Sequence, residues 1–212
     1  LNARNPDERH LRLLEDLARD QIQAGYLAHA EESFLLLAQH LPQEPGLWEN
    51  VALVRLQTSR FEEALDSLKK AEAIKITPRT TFNTARALMN LGRFKEAESR
   101  LAVLLAGKVE EDIIADGSQA LYAETLLLEG KGGALLAYLK EHPGRPQVAG
   151  ELQVFTCQAL ISRNDWKSAL AALKDGIARF PKVPFFQQAA ALPPEYLEYR
   201  FFSRKESRAA LE

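Results

Sequence analysis

A single cysteine, Cys157, stands among 212 residues, so no internal disulfide can form and a cysteine-built metal cluster is not expected. Histidine is also scarce. His10, His29, His40 and His142 are scattered without metal-ligand spacing, and no His-Glu-x-x-His motif occurs. Excess charge is missing too, since 27 Lys and Arg face 29 Asp and Glu for a net charge of −2. Nucleic acid is therefore not an expected partner, because phosphate neutralisation demands a basic surplus. The longest apolar runs, such as Leu126-Leu127-Leu128, fall far short of the ~20 residues that cross a bilayer. No membrane insertion is expected, and a soluble domain of the cytoplasm or periplasm is the reading. Leu1 opens the sequence and Met89 is its only methionine, so these residues do not include a native start and leave room for an N-terminal signal, anchor or domain.

What the sequence does contain is a period. Gly25-Tyr26-Leu27-Ala28-His29-Ala30, Ser59-Arg60-Phe61-Glu62-Glu63-Ala64, Gly92-Arg93-Phe94-Lys95-Glu96-Ala97 and Asn164-Asp165-Trp166-Lys167-Ser168-Ala169 share one pattern. Each is a turn residue, a large apolar residue two positions on, and an alanine three beyond that. Ala30, Ala64 and Ala97 follow one another at a nearly constant spacing, and the longer interval from Ala97 to Ala169 holds one more unit plus a short insertion. That unit is degenerate: Gly130 and Ala123 keep register, but Gly132 replaces the aromatic and Leu135 the alanine. Twelve positions before each alanine stands a small side chain, Ala18, Ala52, Ala85, Ala123 or Cys157. Four positions after it comes Phe34, Leu68, Leu101, Leu139 or Leu173. Small facing large is what close helix packing requires. Pro42 and Pro181 stop helices at the ends of the first and last units.

This pattern resembles the tetratricopeptide repeat (TPR), with Trp48 at the place of the family's signature tryptophan and a resemblance extending over about residues 11–182. It implies an all-α, right-handed superhelical solenoid of antiparallel helix hairpins, with repeats near 11–44, 45–77, 78–110, 116–146 and 150–182. Helices are predicted near 9–24, 27–41, 46–58, 61–75, 78–91, 94–106, 118–129, 133–142, 147–163 and 166–180. The segment 107–117 carries the insertion and a hinge, and the glycines of Lys131-Gly132-Gly133 make the fourth hairpin the weakest. Beyond Pro181 the repeat is lost. A C-terminal capping or interaction segment at 183–210 contains a predicted helix over 195–210, with Tyr196, Leu197, Tyr199, Phe201 and Phe202. Residues 211–212 read as a tag scar.

No cofactor, metal or catalytic group is expected. Gly130-Lys131-Gly132-Gly133 superficially resembles a phosphate loop but lacks its spacing and preceding strand. Cys157 reads as a compact packing residue, and Glu62-Glu63 and Glu110-Glu111-Asp112 as helix-start carboxylates. The resemblance implies a concave face formed by the first helix of each hairpin, carrying Arg12, Glu15, Arg19, Glu49, Asn50, Leu53, Arg79, Phe82, Asn83, Arg86, Met89, Asn90, Glu124, Leu127, Phe155 and Gln158. Some TPR domains grip a chaperone's terminal carboxylate with Lys, Asn, Asn, Lys and Arg over three repeats. Here Asn50 agrees and Arg79 stands in for a lysine, but Glu15, Arg19 and Asn83 depart from that set. A general peptide groove is the better reading, with Asn50, Leu53, Arg79, Phe82, Asn83, Arg86, Met89 and Asn90 as partner-binding residues. The expected function is a non-catalytic protein-interaction scaffold of bacterial type, holding a peptide or helix of a partner. The alternatives are the repeat arm of a larger enzyme or secretion or envelope machine, and a homodimer joined through the aromatic C-terminal helix.

Overall fold

Helix ends fall where proline and left-handed residues place them. Pro45, Pro78, Pro146 and Pro184 each open a helix at its first turn, where the missing N–H leaves no bond unmade. Within every hairpin the first helix stops at a residue of positive φ: Gly25, Ser59, Gly92, Gly130 or Asn164. The next residue's N–H then reaches back five positions, as from Tyr26 to the Gln21 carbonyl at 2.8 Å and from Asp165 to that of Leu160 at 3.0 Å. This is a Schellman closure, which satisfies the orphan carbonyls of the helix end. It recurs once in each of the five hairpins, so the turn itself keeps the period.

The computed structural model describes residues 8–107 and 112–192. Among them the chain is all-α, without a strand. It divides into two compact units, one up to Leu104 and one from Leu105. The first holds α1 (Glu8–Gln23), α2 (Leu27–His40), α3 (Pro45–Gln57), α4 (Phe61–Ile74), α5 (Pro78–Asn90) and all but the last two residues of α6 (Phe94–Ala106). The second holds α7 (Asp112–Leu128), α8 (Gly132–Glu141), α9 (Pro146–Ser162), α10 (Trp166–Arg179) and α11 (Pro184–Ala190). No described helix is long and apolar enough to cross a membrane.

In the first unit, α2 packs on α1 and α3, and α4 on α3 and α5, so first helices line up beside one another as α3 does with α5. The register positions meet here. Ala18, Ala52 and Ala85 are fully buried, as are Ala30, Ala64 and Ala97 and the large Phe34, Leu68 and Leu101. A charged seam ties the hairpins together as well. The Glu31 carboxylate on α2 accepts from Arg55 Nε of α3 at 2.7 Å and from the Arg60 guanidinium before α4, and Arg55 Nη1 also donates to Ser67 Oγ at 2.8 Å. Burial alone would raise the Glu31 carboxyl; the hydrogen bonds and charges of Arg60 and Arg55 together outweigh it and leave it lowered.

In the second unit α9 is central, packed against α7, α8 and α10. The degenerate hairpin has a packing reason. A Cβ on Gly132 would lie 3.0 Å from Ser162 Oγ and 3.4 Å from the Ala159 carbonyl, so glycine lets α8 approach α9 where the other hairpins hold a large residue. Leu135, fully buried, fills the space of the missing alanine. Two boundaries differ from the sequence reading. α7 begins at Asp112 and runs through Gly117, because burial of Ile114 and Leu121 on one face outweighs the ~1 kcal/mol that a mid-helix glycine costs. A short helix that the sequence reading did not predict also follows Pro181: α11, whose Phe186 is fully buried. The helix predicted over 195–210 lies outside the described residues.

Candidate functional site

The first three first-helices present a groove. It has a volume of about 690 Å³ and runs along α1 to the corner where α2 ends and α3 begins. Its floor is apolar, from Leu11, Ile22, Phe34, Leu41, Leu47 and Leu53, and its edge polar, from Arg12, Glu15, Arg19, Gln23, Glu44, Asn50 and Arg79. An apolar base with a few placed polar groups is the usual composition of a recognition site.

The polar edge is held in position before any ligand arrives. Arg79 Nη2 donates to Asn50 Oδ1 at 3.3 Å, and its Nε lies 3.5 Å from Glu49 Oε2. Glu49 is itself buried and accepts from the Thr77 hydroxyl at 3.1 Å. Thr77 caps α5 in turn, exchanging bonds with Thr80 in a capping box. The chain Thr77–Glu49–Arg79–Asn50 thus ties the start of α5 to the middle of α3 and fixes a guanidinium and an amide at the groove edge. Across the groove, Arg19 pairs with Glu15 one turn away.

Of the eight residues put forward from the sequence, Asn50, Leu53 and Arg79 line this groove. The other five lie farther along α5 and do not line it. Phe82, Arg86 and Met89 are half-buried, and Met89 packs on the core shared by Ala52, Leu68 and Leu88. Asn90 is exposed, its Nδ2 donating to the Arg86 carbonyl at 2.8 Å. Asn83 is 4% exposed, so its amide belongs to the helix interface in this structure. The corner residues Leu41 and Glu44 escaped the sequence reading because they sit at the connection between hairpins, outside the helical register, and Gly46 because it lies in the first turn of α3.

The second unit repeats this notch with different chemistry. A cavity of about 700 Å³ is lined by Gly150, Glu151, Val154, Gln158, Phe180 and Val183, among others. Four hairpins on, these hold the register of Leu11, Arg12, Glu15, Arg19, Leu41 and Glu44, each of which lines the first groove. Val154, Phe155 and Phe180 make the second notch more apolar, with Arg179 and Lys182 on its rim. Glu124 on α7 has its carboxyl raised, first by burial and then by the nearby charge of Glu151 on α9. Cys157 is buried, and desolvation pushes its thiol up to about 12, so it is an inert packing residue. Among the described residues no group of three or more His, Cys, Asp or Glu could hold a metal ion.

No family model and no curated protein matches the sequence. Solved structures do match the fold. YrrB, described as a TPR protein with an unusual peptide-binding site, superposes with a TM-score of 0.66 at 14% identity, covering 84% of this chain and 91% of that one. A tetratricopeptide repeat protein of Parabacteroides merdae gives 0.66 at 16% identity over 96% and 77% of the two chains. A thermophilic TPR protein of Thermus thermophilus gives 0.57 at 16% identity over 91% and 97%. With hairpins repeated in register, small and large residues buried at the expected positions, and these structural likenesses, the chain has the tetratricopeptide repeat fold.

Proposed function

We propose that this chain is a non-catalytic interaction module that holds a peptide or short helix of a partner protein in the groove of α1, α3 and the start of α5. The observation that carries the reading is the pre-positioned edge: Arg79 and Asn50, fixed through Glu49 and Thr77, stand over a floor that includes Leu53, Leu47 and Phe34. An amide and a guanidinium at one rim suit a peptide backbone and its carbonyls, while the floor takes apolar side chains. YrrB, described with a peptide-binding site, supports the same use of this fold. With few anchors and the ordering cost of an extended ligand, a Kd of roughly 1–100 μM is expected.

The test starts from peptides selected on the immobilised chain from a random library. Titrated against an Asn50→Ala/Arg79→Glu variant of unchanged helical content, a selected peptide should bind at least about tenfold more weakly, equivalent to ~1.4 kcal/mol. Equal affinity for variant and parent would remove the groove from the proposal.

A further inference from the structure

The notch of the second unit carries its charges on the opposite walls from the first. Its corner, Phe180-Pro181-Lys182-Val183-Pro184, keeps the length and both prolines of Leu41-Pro42-Gln43-Glu44-Pro45 four hairpins earlier. The other three positions change together, leucine to phenylalanine, glutamine to lysine and glutamate to valine. Arg179 stands just before the corner, where the first has His40. A carboxylate is thereby lost from the corner and two cations are gained. On the facing helix the exchange runs the other way: Arg12 and Arg19 of α1 correspond to Glu151 and Gln158 of α9, and Glu15 to Val154.

The corner is held rigidly against α9. A Cβ on Gly150 would lie 2.8 Å from Val183 Cγ2 and 3.3 Å from the Phe180 ring, so only glycine lets the corner sit this close. Phe180 stacks in turn on the fully buried Phe186, at a centroid distance of 6.4 Å. The Arg179 guanidinium lies over the Phe180 ring at 5.0 Å and is fixed by Asp175 at 3.0 Å. Lys182 is exposed and has no carboxylate partner among the described residues. Glu151, on the α9 wall, is likewise exposed and without a cation partner among them. One cavity thus offers an unpaired ammonium at its corner and an unpaired carboxylate on its helix, together with the half-buried apolar surface of Val154, Phe155 and Phe180.

We infer that this notch is a second peptide site, separate from the groove of α1 and α3, which takes a large apolar side chain with an acidic residue beside it. The apolar side chain covers Val154, Phe155 and Phe180, and the carboxylate meets Lys182 and Arg179 at the corner. A basic residue in that place is repelled by the same two cations. At the first groove the corner carries Glu44 instead and repels the carboxylate, so the two sites select different segments of partner proteins.

The experiment selects peptides from a random displayed library on the whole chain carrying Asn50→Ala and Arg79→Glu, which disables the first groove. Parallel selection on the Lys182→Glu chain supplies peptides of that groove, so the outcomes at the two sites are read apart. Peptides held by the groove-disabled chain should be enriched in an acidic residue next to a large apolar one. Adding Lys182→Glu, an exposed change that leaves the packing intact, should weaken a selected peptide at least about fivefold. Changing the peptide's acidic residue to lysine should recover part of that loss on the Lys182→Glu chain, a charge exchange that a merely structural effect would not produce. Capture of no peptide, capture without acidic enrichment, equal affinity after Lys182→Glu, or no recovery on charge exchange would each overturn the inference.

Discussion

Phe34→Ala is expected to destabilise the first unit by about 3–5 kcal/mol. Phe34 is fully buried where α1, α2 and α3 meet, in one cluster with Ala18, Ala30, Leu47 and Val51. The neighbours that touch it are small or branched and anchored on three separate helices, so the space left by the ring has no flexible side chain to fill it. Trp48 packs against this same cluster and is the first unit's own fluorophore, as Trp166 is the second unit's. Urea unfolding followed by fluorescence in a Trp166→Phe background isolates the effect. A loss below about 1 kcal/mol would mean that the hairpins are not packed through Phe34. Because Phe34 also lies at the base of the groove, the same substitution should weaken peptide binding.

Gly176→Ala separates two effects of opposite sign. Within α10, alanine in place of glycine should stabilise the helix by up to ~1 kcal/mol. Packing opposes this: the added Cβ would lie 2.3 Å from Phe186 Cε1 and 2.4 Å from its Cζ. Phe186 is fully buried and in contact with Phe180 and Phe185 rings at centroid distances of 6.4 and 5.3 Å, so it cannot swing away cheaply. Overpacking of this kind costs about 1–3 kcal/mol and should win. Trp166 fluorescence in a Trp48→Phe background should report the loss, and adding Phe186→Leu to Gly176→Ala should recover part of it. A stabilised single variant would show that α11 does not bear on α10 through this ring.

Much of the fold was legible in the sequence because helix hairpins impose strict local chemistry. The alanine, the small residue twelve before it and the large residue four after it are all buried in every hairpin, with Leu135 replacing alanine in the fourth. Turn residues were equally readable, since Gly25, Gly92 and Gly130 supply the left-handed conformation that Ser59 and Asn164 adopt under constraint. Register alone was less informative about exposure. Asn50 and Asn83 share one position in successive hairpins, yet the first is half-buried at the groove edge and the second 4% exposed. Neighbouring side chains decide such cases, and they come from elements distant in sequence. Local pattern also failed at α11, where a helix too short to show a period is set by one buried ring, Phe186. The groove corner escaped for a related reason: Leu41 and Glu44 belong to a connection, and only the approach of α1 to α3 makes them part of a site.

The most direct test of a peptide-holding groove is to see where a selected peptide lands. Amide chemical shifts of the isotopically labelled chain, followed as the peptide is added, should move at Asn50, Leu53 and Arg79 and along the facing residues of α1. Shifts confined to α5 beyond Arg79, to the second unit, or absent at saturating peptide would contradict the assignment.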